Sequence, residues 1–79
     1  MNMLTELEFM DKEHIVLDKF DYTYIMNKGT DNLWAIICVP KDTVTDIQVE
    51  DEVPEEDAYR FYRERMESFG FMSFPIIVE

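Results

Sequence analysis

Residues 33–39 read LWAIICV, seven consecutive apolar positions in which Ile36, Ile37 and Val39 are β-branched. A run this long is short for a helix and far too short to cross a bilayer. It predicts a central strand, covered on both faces or on one face and an interface. Upstream, NKGTDN supplies a turn in which Gly29 is expected to take the positive φ that an ordinary side chain resists. Before that turn, FDYTYIM places Phe20, Tyr22, Tyr24 and Met26 on one face at period two, and HIVL, from His14, reads as a further strand. Downstream, Pro40 ends the run, and TDIQV, with Ile47 and Val49 alternating, is a short edge strand or a loop. The first residues read both ways: TELEFM alternates, but Met3, Leu7 and Met10 also fall at helical spacing. The alternation favours a strand there.

A helix is expected over 54–69. Pro54 suits its first position, Glu55, Glu56 and Asp57 lie at the positive end of its dipole, and Arg60, Arg63 and Arg65 lie towards the negative end. Ala58, Phe61, Tyr62, Met66 and Phe69 form its apolar stripe. Glu56 with Arg60 and Arg63 with Glu67 are pairs four residues apart on the exposed side. Gly70 reads as the left-handed stop, with Phe71 folding back onto Met66. The closing FMSFPIIVE alternates as a last strand in which Pro75, lacking a donor, belongs on an edge or bulge. The expected fold is α+β: a single domain over 1–79 with an antiparallel sheet of three to five strands, one helix packed on one face, and a C-terminal strand.

The composition fits a small folded domain. A chain of 79 residues hides about 60 to 65% of its unfolded surface. It is nonetheless 47% hydrophobic, with six Phe, four Tyr and one Trp, too aromatic for a disordered acidic tail. Against 18 acids stand 7 bases, a net charge of −11. Direct nucleic-acid binding and adhesion to anionic membranes are both disfavoured by that balance. The single cysteine, Cys38, excludes an intramolecular disulfide and reads as a buried, inert thiol. The N-terminus lacks a positive segment followed by an apolar one, so a soluble cytoplasmic protein is expected, in the host cell if phage-encoded.

Tests for chemistry fail in turn. His14, alone at the start of a strand, reads as structural. Cys38 has no basic neighbour in sequence to lower its pKa. Zinc needs about four His or Cys ligands, and this chain holds two such residues. Laid on a calcium-binding EF-hand loop, residues 46–57 put Asp51 where the turn glycine belongs, Pro54 at position nine, and Asp57 in place of the bidentate glutamate. With Gly29 and Gly70 as its only glycines, the chain has no phosphate-cradling loop. Neither an enzyme nor a cofactor or metal site is expected.

What stands out is DIQVEDEVPEED, residues 46–57, with seven carboxylates and no cation. Acids at 55–57 stabilise a helix start, and the others serve solubility on the simplest reading. The sharper reading is nucleic-acid mimicry. Size scaling gives a diameter of roughly 30 Å. Eleven net charges over that length is about 0.4 per Å, against about 0.6 per Å for duplex DNA. Asp46, Glu50, Asp51, Glu52, Glu55, Glu56 and Asp57 are therefore the expected partner-binding residues. Their partner would be a basic nucleic-acid-binding protein, either a nuclease or a regulator. In size, charge and lack of chemistry the chain is like the small acidic inhibitors that phages and mobile elements direct against host defence, an analogy of type only. The alternative is a non-enzymatic interaction module or small homodimer, joined through LWAIICV or the PIIV edge, whose acids serve solubility.

Overall fold

Four strands pair antiparallel in the order β1-β2-β3-β4: β1 is His14–Asp18, β2 Tyr22–Lys28, β3 Leu33–Pro40 and β4 Gln48–Pro54. The computed structural model describes residues 3–19, 21–42 and 44–68. Helix α1, Glu6–Met10, precedes the sheet, and helix α2, Glu55–Ser68, follows it. The α+β architecture expected from the sequence is therefore present, with LWAIICV as the inner strand β3 between β2 and β4. The expected C-terminal strand, the Gly70 stop with Phe71, and the placements of Phe20 and Phe69 lie outside the described residues.

Strand register sorts the side chains onto two faces. Ile15 lies opposite Met26 and Met26 opposite Ile36; Leu17 lies opposite Tyr24, and Lys28 opposite Trp34. This face carries the core. Phe9, Ile15, Leu17, Met26, Trp34, Ile36, Ala58, Tyr62 and Met66 are buried in one cluster. Each side chain of Leu, Ile, Phe or Met size in it contributes about 1.5–3 kcal/mol of transfer free energy. Both helices meet the sheet through this cluster, α1 by Phe9 and α2 by Ala58, Tyr62 and Met66. The predicted stripe is thus observed over its described members, with Phe61 at its margin.

Several expectations change. Residues 6–10 are helical, because Thr5 caps them: its hydroxyl accepts from the Glu8 amide while the Glu8 carboxylate accepts from the Thr5 amide. That reciprocal box, T-x-x-E, outweighs the alternation of TELEFM. The N-terminal segment is then clamped to α2, since the Leu4 amide donates to the Tyr62 hydroxyl at 2.7 Å and the Tyr59 hydroxyl donates to the Leu4 carbonyl at 3.2 Å.

The β2–β3 turn also differs from the glycine-centred reading. Gly29 has φ −103°, whereas Asp31 and Asn32 carry φ of 58° and 57°. Two successive left-handed residues make the turn whose twist matches a hairpin, and Asp and Asn tolerate that region better than other side chains. Cys38 is half-buried on the helix-bearing face instead of fully buried. Pro54 ends β4, so that α2 starts at Glu55 with no intervening loop. On α2, Arg60 pairs with Asp57 at 3.1 Å, not with Glu56; the Arg63–Glu67 pair forms as expected, at 3.3 Å.

Between Trp34 and Ile36 the register slips: Trp34 faces Val53 and Ile36 faces Glu50, so β4 spends one residue more than β3. Glu52 absorbs this bulge with φ 61°. A non-glycine residue there costs about 1–2 kcal/mol, partly offset in a glycine variant by unfolded-state entropy. Glu52→Gly is expected to stabilise the fold by about 0.5–1 kcal/mol, read as a rise of a few degrees in Tm. An unchanged or lowered Tm in thermal melts would show that the bulge is not strained.

Candidate functional site

The acidic stretch spans the loop before β4, the whole of that strand, which is outermost among the described strands, and the first turn of α2. It is therefore only in part the loop and helix start that its composition suggests. Asp46, Glu50, Asp51 and Glu52 are exposed, as is Glu56 on the first turn of α2. Among the described residues no ion pair reaches these five.

Glu55 stands apart. Its Oε2 accepts from Lys28 Nζ at 2.8 Å and from Trp34 Nε1 at 3.2 Å, and the two charged side chains are only 15% and 14% exposed. Lys28 also donates to the Met10 carbonyl and lies 5.6 Å from the Trp34 ring centroid. Glu55 is thus a junction residue between β2, β3 and α2, and it leaves the set of carboxylates offered to a partner. Asp57 remains half-exposed, but its charge is locally compensated by Arg60.

The free carboxylates do not point one way. Alternation along β4 sends Glu50 to the helix-bearing face, beside Tyr24, Ile36, Phe61 and Arg65, while Asp51 and Glu52 border a recess with Thr30 and Ala35 at the β2–β3 turn. Glu56 belongs to a third group: with Glu6, Glu64 and Glu67 it lines a shallow groove of about 400 Å³ along α2, interleaved with Arg60 and Arg63. Sequence inspection overlooked Glu6 and Glu64 as neighbours of the stretch. The signal was helical spacing, since Glu56, Arg60, Arg63, Glu64 and Glu67 recur three and four residues apart.

Charge density along this rim is moderate. Seven extended residues of β4 cover about 20 Å and carry three free carboxylates, about 0.15 per Å, roughly half the 0.3 per Å of one DNA strand. Three other acids are committed to local structure. Glu8 has a lowered pKa chiefly through the Thr5 amide. Asp18 is lowered first by Lys41 and then by Thr23. Asp42 is lowered by the amides of Thr45 and Val44, which close the turn after β3. Burial pushes the Tyr62 hydroxyl up and outweighs the Leu4 amide, whose donated hydrogen bond lowers it.

The described residues hold no group of three or more His, Cys, Asp or Glu side chains arranged to take a metal ion, and no helix among them is long and apolar enough to cross a membrane. His14 Nδ1 is hydrogen-bonded to Asn27 Oδ1 across β1 and β2, a structural pairing. No family model matches the sequence, and neither a curated protein nor a solved structure matches it.

Two outcomes follow from these contacts. Lys28→Met leaves Glu55 largely desolvated and unpaired, and should cost about 2–3 kcal/mol in urea unfolding; adding Glu55→Leu should recover most of it. Equal losses in the single and double variants would mean that packing, not charge pairing, holds the junction. For Glu8, Asp18 and Asp42 the folded pKa lies below the unfolded one. Their stabilisation is therefore complete at neutral pH and disappears as pH falls through the lowered values. Melts from pH 7 down to about 2 should show stability falling below the ordinary carboxylate range, and falling less steeply in Asp42→Asn.

Proposed function

We propose that this chain is a non-enzymatic binding protein that inhibits a basic nucleic-acid-binding protein, a nuclease or a regulator, by seating its acidic rim where phosphates would bind. The observation that supports this reading is a set of exposed carboxylates that no ion pair reaches among the described residues: Asp46 in the loop before β4, Glu50, Asp51 and Glu52 on that strand, and Glu56 on the first turn of α2. The four on β4 and the helix turn are fixed by regular structure and lose less entropy on docking than acids on a loose segment would. Glu55 supports the rim from behind, by joining strand to helix, and makes no contact with the partner. At half the density of a single DNA strand, the rim suits a groove that grips a few phosphates through separated Lys and Arg side chains. The cytoplasm, where such targets act, is the proposed place of action.

A second reading is favoured by the position of β4 at the edge of the described strands. Charged side chains on an exposed edge strand block pairing with another chain, and they need no partner to justify them. The two readings differ in what matters: position for binding, net charge for solubility.

The test uses the immobilised chain, with purified host nucleases and DNA-binding regulators applied as individual candidates. Retained protein should elute with rising salt and with duplex DNA added as competitor. Changing Glu50, Asp51, Glu52 and Glu56 to Gln or Asn should abolish retention, whereas neutralising Asp11, Glu13, Asp21 and Asp31, exposed acids outside that rim and an equal loss of charge, should weaken it only slightly. Equal effects of the two quadruple variants, or retention indifferent to DNA, would reject mimicry.

A further inference from the structure

The sheet face turned away from the helices has an order of its own. Register places Val16 opposite Ile25, Ile25 opposite Ile37, and Ile37 opposite Val49, an aliphatic row crossing all four strands. Among the described residues none of these four belongs to the core cluster or packs against it; Val16, Ile25 and Ile37 are half-buried and Val49 is exposed. The row continues the exposed apolar surface at Val49 and Ile47, which are 56% and 61% exposed. On one side it is flanked by the His14–Asn27 pair and Ala35, and on the other by Asp18, Thr23 and Val39.

Among the described residues charge is nearly absent here, in a chain of net charge −11. Asp18 is bound by Lys41 at 2.9 Å and by Thr23 at 2.9 Å, and Asp51 stands only at the β4 rim, by the turn recess. An aliphatic centre with a polar margin is the anatomy of a protein interface.

We infer that this face is a docking surface for a second copy of the same chain, joined sheet to sheet across a two-fold axis, with Ile25 and Ile37 meeting their counterparts at the centre. The argument is electrostatic as well as apolar. Two copies that approach by the β4 edge or by α2 bring like charges together; approach by this face keeps the acidic rims apart. Turned over about the row, the face also sets His14 and Asn27 against Asp18 and Thr23 of the second copy, so its polar margins are complementary to themselves. Four strands about 4.8 Å apart and three rows about 7 Å apart give a footprint of roughly 300–400 Å² per copy. Over both copies that is roughly 600–800 Å², short of the roughly 1,000 Å² at which specific interfaces begin, so the dimer should be weak and transient, weaker than micromolar.

Sedimentation equilibrium on the full chain tests this. The weight-average mass should climb with concentration from the 9.5 kDa of one copy towards twice that value. It should climb more steeply at higher salt, because the two acidic bodies repel less; binding to a basic partner responds to salt in the opposite sense, which separates this interface from the one proposed above. Ile25→Thr with Ile37→Thr keeps β-branched residues in the strands and should weaken association at least tenfold, with an unchanged circular dichroism spectrum. Leu7→Ser, at an exposed apolar residue of α1, should leave association unaltered. A single-copy mass at every concentration overturns the inference, as does a dimer indifferent to the threonine pair. So does a monomer in which that pair lowers stability, since the chain's own residues would then cover the row.

Discussion

Trp34 is the point at which the separate layers are tied together. Its ring is fully buried and stacks on Phe9 at 4.7 Å, which brings α1 down onto the sheet. Its Nε1 donates to Glu55, the first residue of α2, and Lys28, its neighbour on β2, completes the contact by pairing with the same carboxylate oxygen. One residue of the inner strand thereby fixes where each helix begins to pack. Because β4 runs into α2 without a loop, the direction of α2 across the sheet is settled at this junction. Phe61 then meets Tyr24 edge-on at 4.9 Å further along. Phe9 also contacts Tyr62 at 5.4 Å, so the aromatic residues close a small core that aliphatic side chains alone would leave thin.

The extent of that core explains the asymmetry of the sheet. Among the described residues, α2, fourteen residues and about 21 Å long, covers one face of the four strands together with the short α1. The helix-bearing face collects Trp34, Met26, Ile36 and the aromatic groups. The other collects small β-branched residues, whose flat surface suits contact with another sheet better than contact with a helix. The uniform apolarity of LWAIICV comes from this division. Trp34 and Ile36 serve the core, while Ile37 and Val39 belong to the opposite face.

Sheet and helix were legible because their signals are periodic and local. LWAIICV, the alternation of YTYIM and the stripe of Ala58, Tyr62 and Met66 each report one face of one element. The capping box of Thr5 and Glu8 was equally local, but it competed with an alternating pattern in a segment of only five helical residues, where periodicity is a weak guide. The turn misled because glycine is the commonest solution to positive φ, and here Asp31 and Asn32 supply it instead. The candidate site was legible as composition but not as geometry. Nothing in DIQVEDEVPEED distinguishes Glu55 from Glu56, and the difference arises from Lys28, 27 positions earlier in the chain, and from Trp34. The bulge at Glu52 likewise depends on the register of β3 against β4, a property of two strands together.

The distribution of charge ties the two proposed surfaces into one scheme. Two carboxylates about 6 Å apart in water repel by roughly 0.7 kcal/mol before screening, so an acidic edge strand meeting a copy of itself would accumulate several such terms. Pairing of β4 with β4 is thereby opposed by the same side chains that would attract a basic groove. The aliphatic row behind the sheet bears no such penalty. Association through that row leaves Glu50 and Glu56 on the outer, helix-bearing side of both copies and doubles the number of rims a single assembly presents. For a partner with two basic grooves, or with one groove longer than the 35 Å of this domain, the second rim would be held at a fixed distance. Contacts that are individually weak would then act together, because the second rim docks at the effective concentration set by the first.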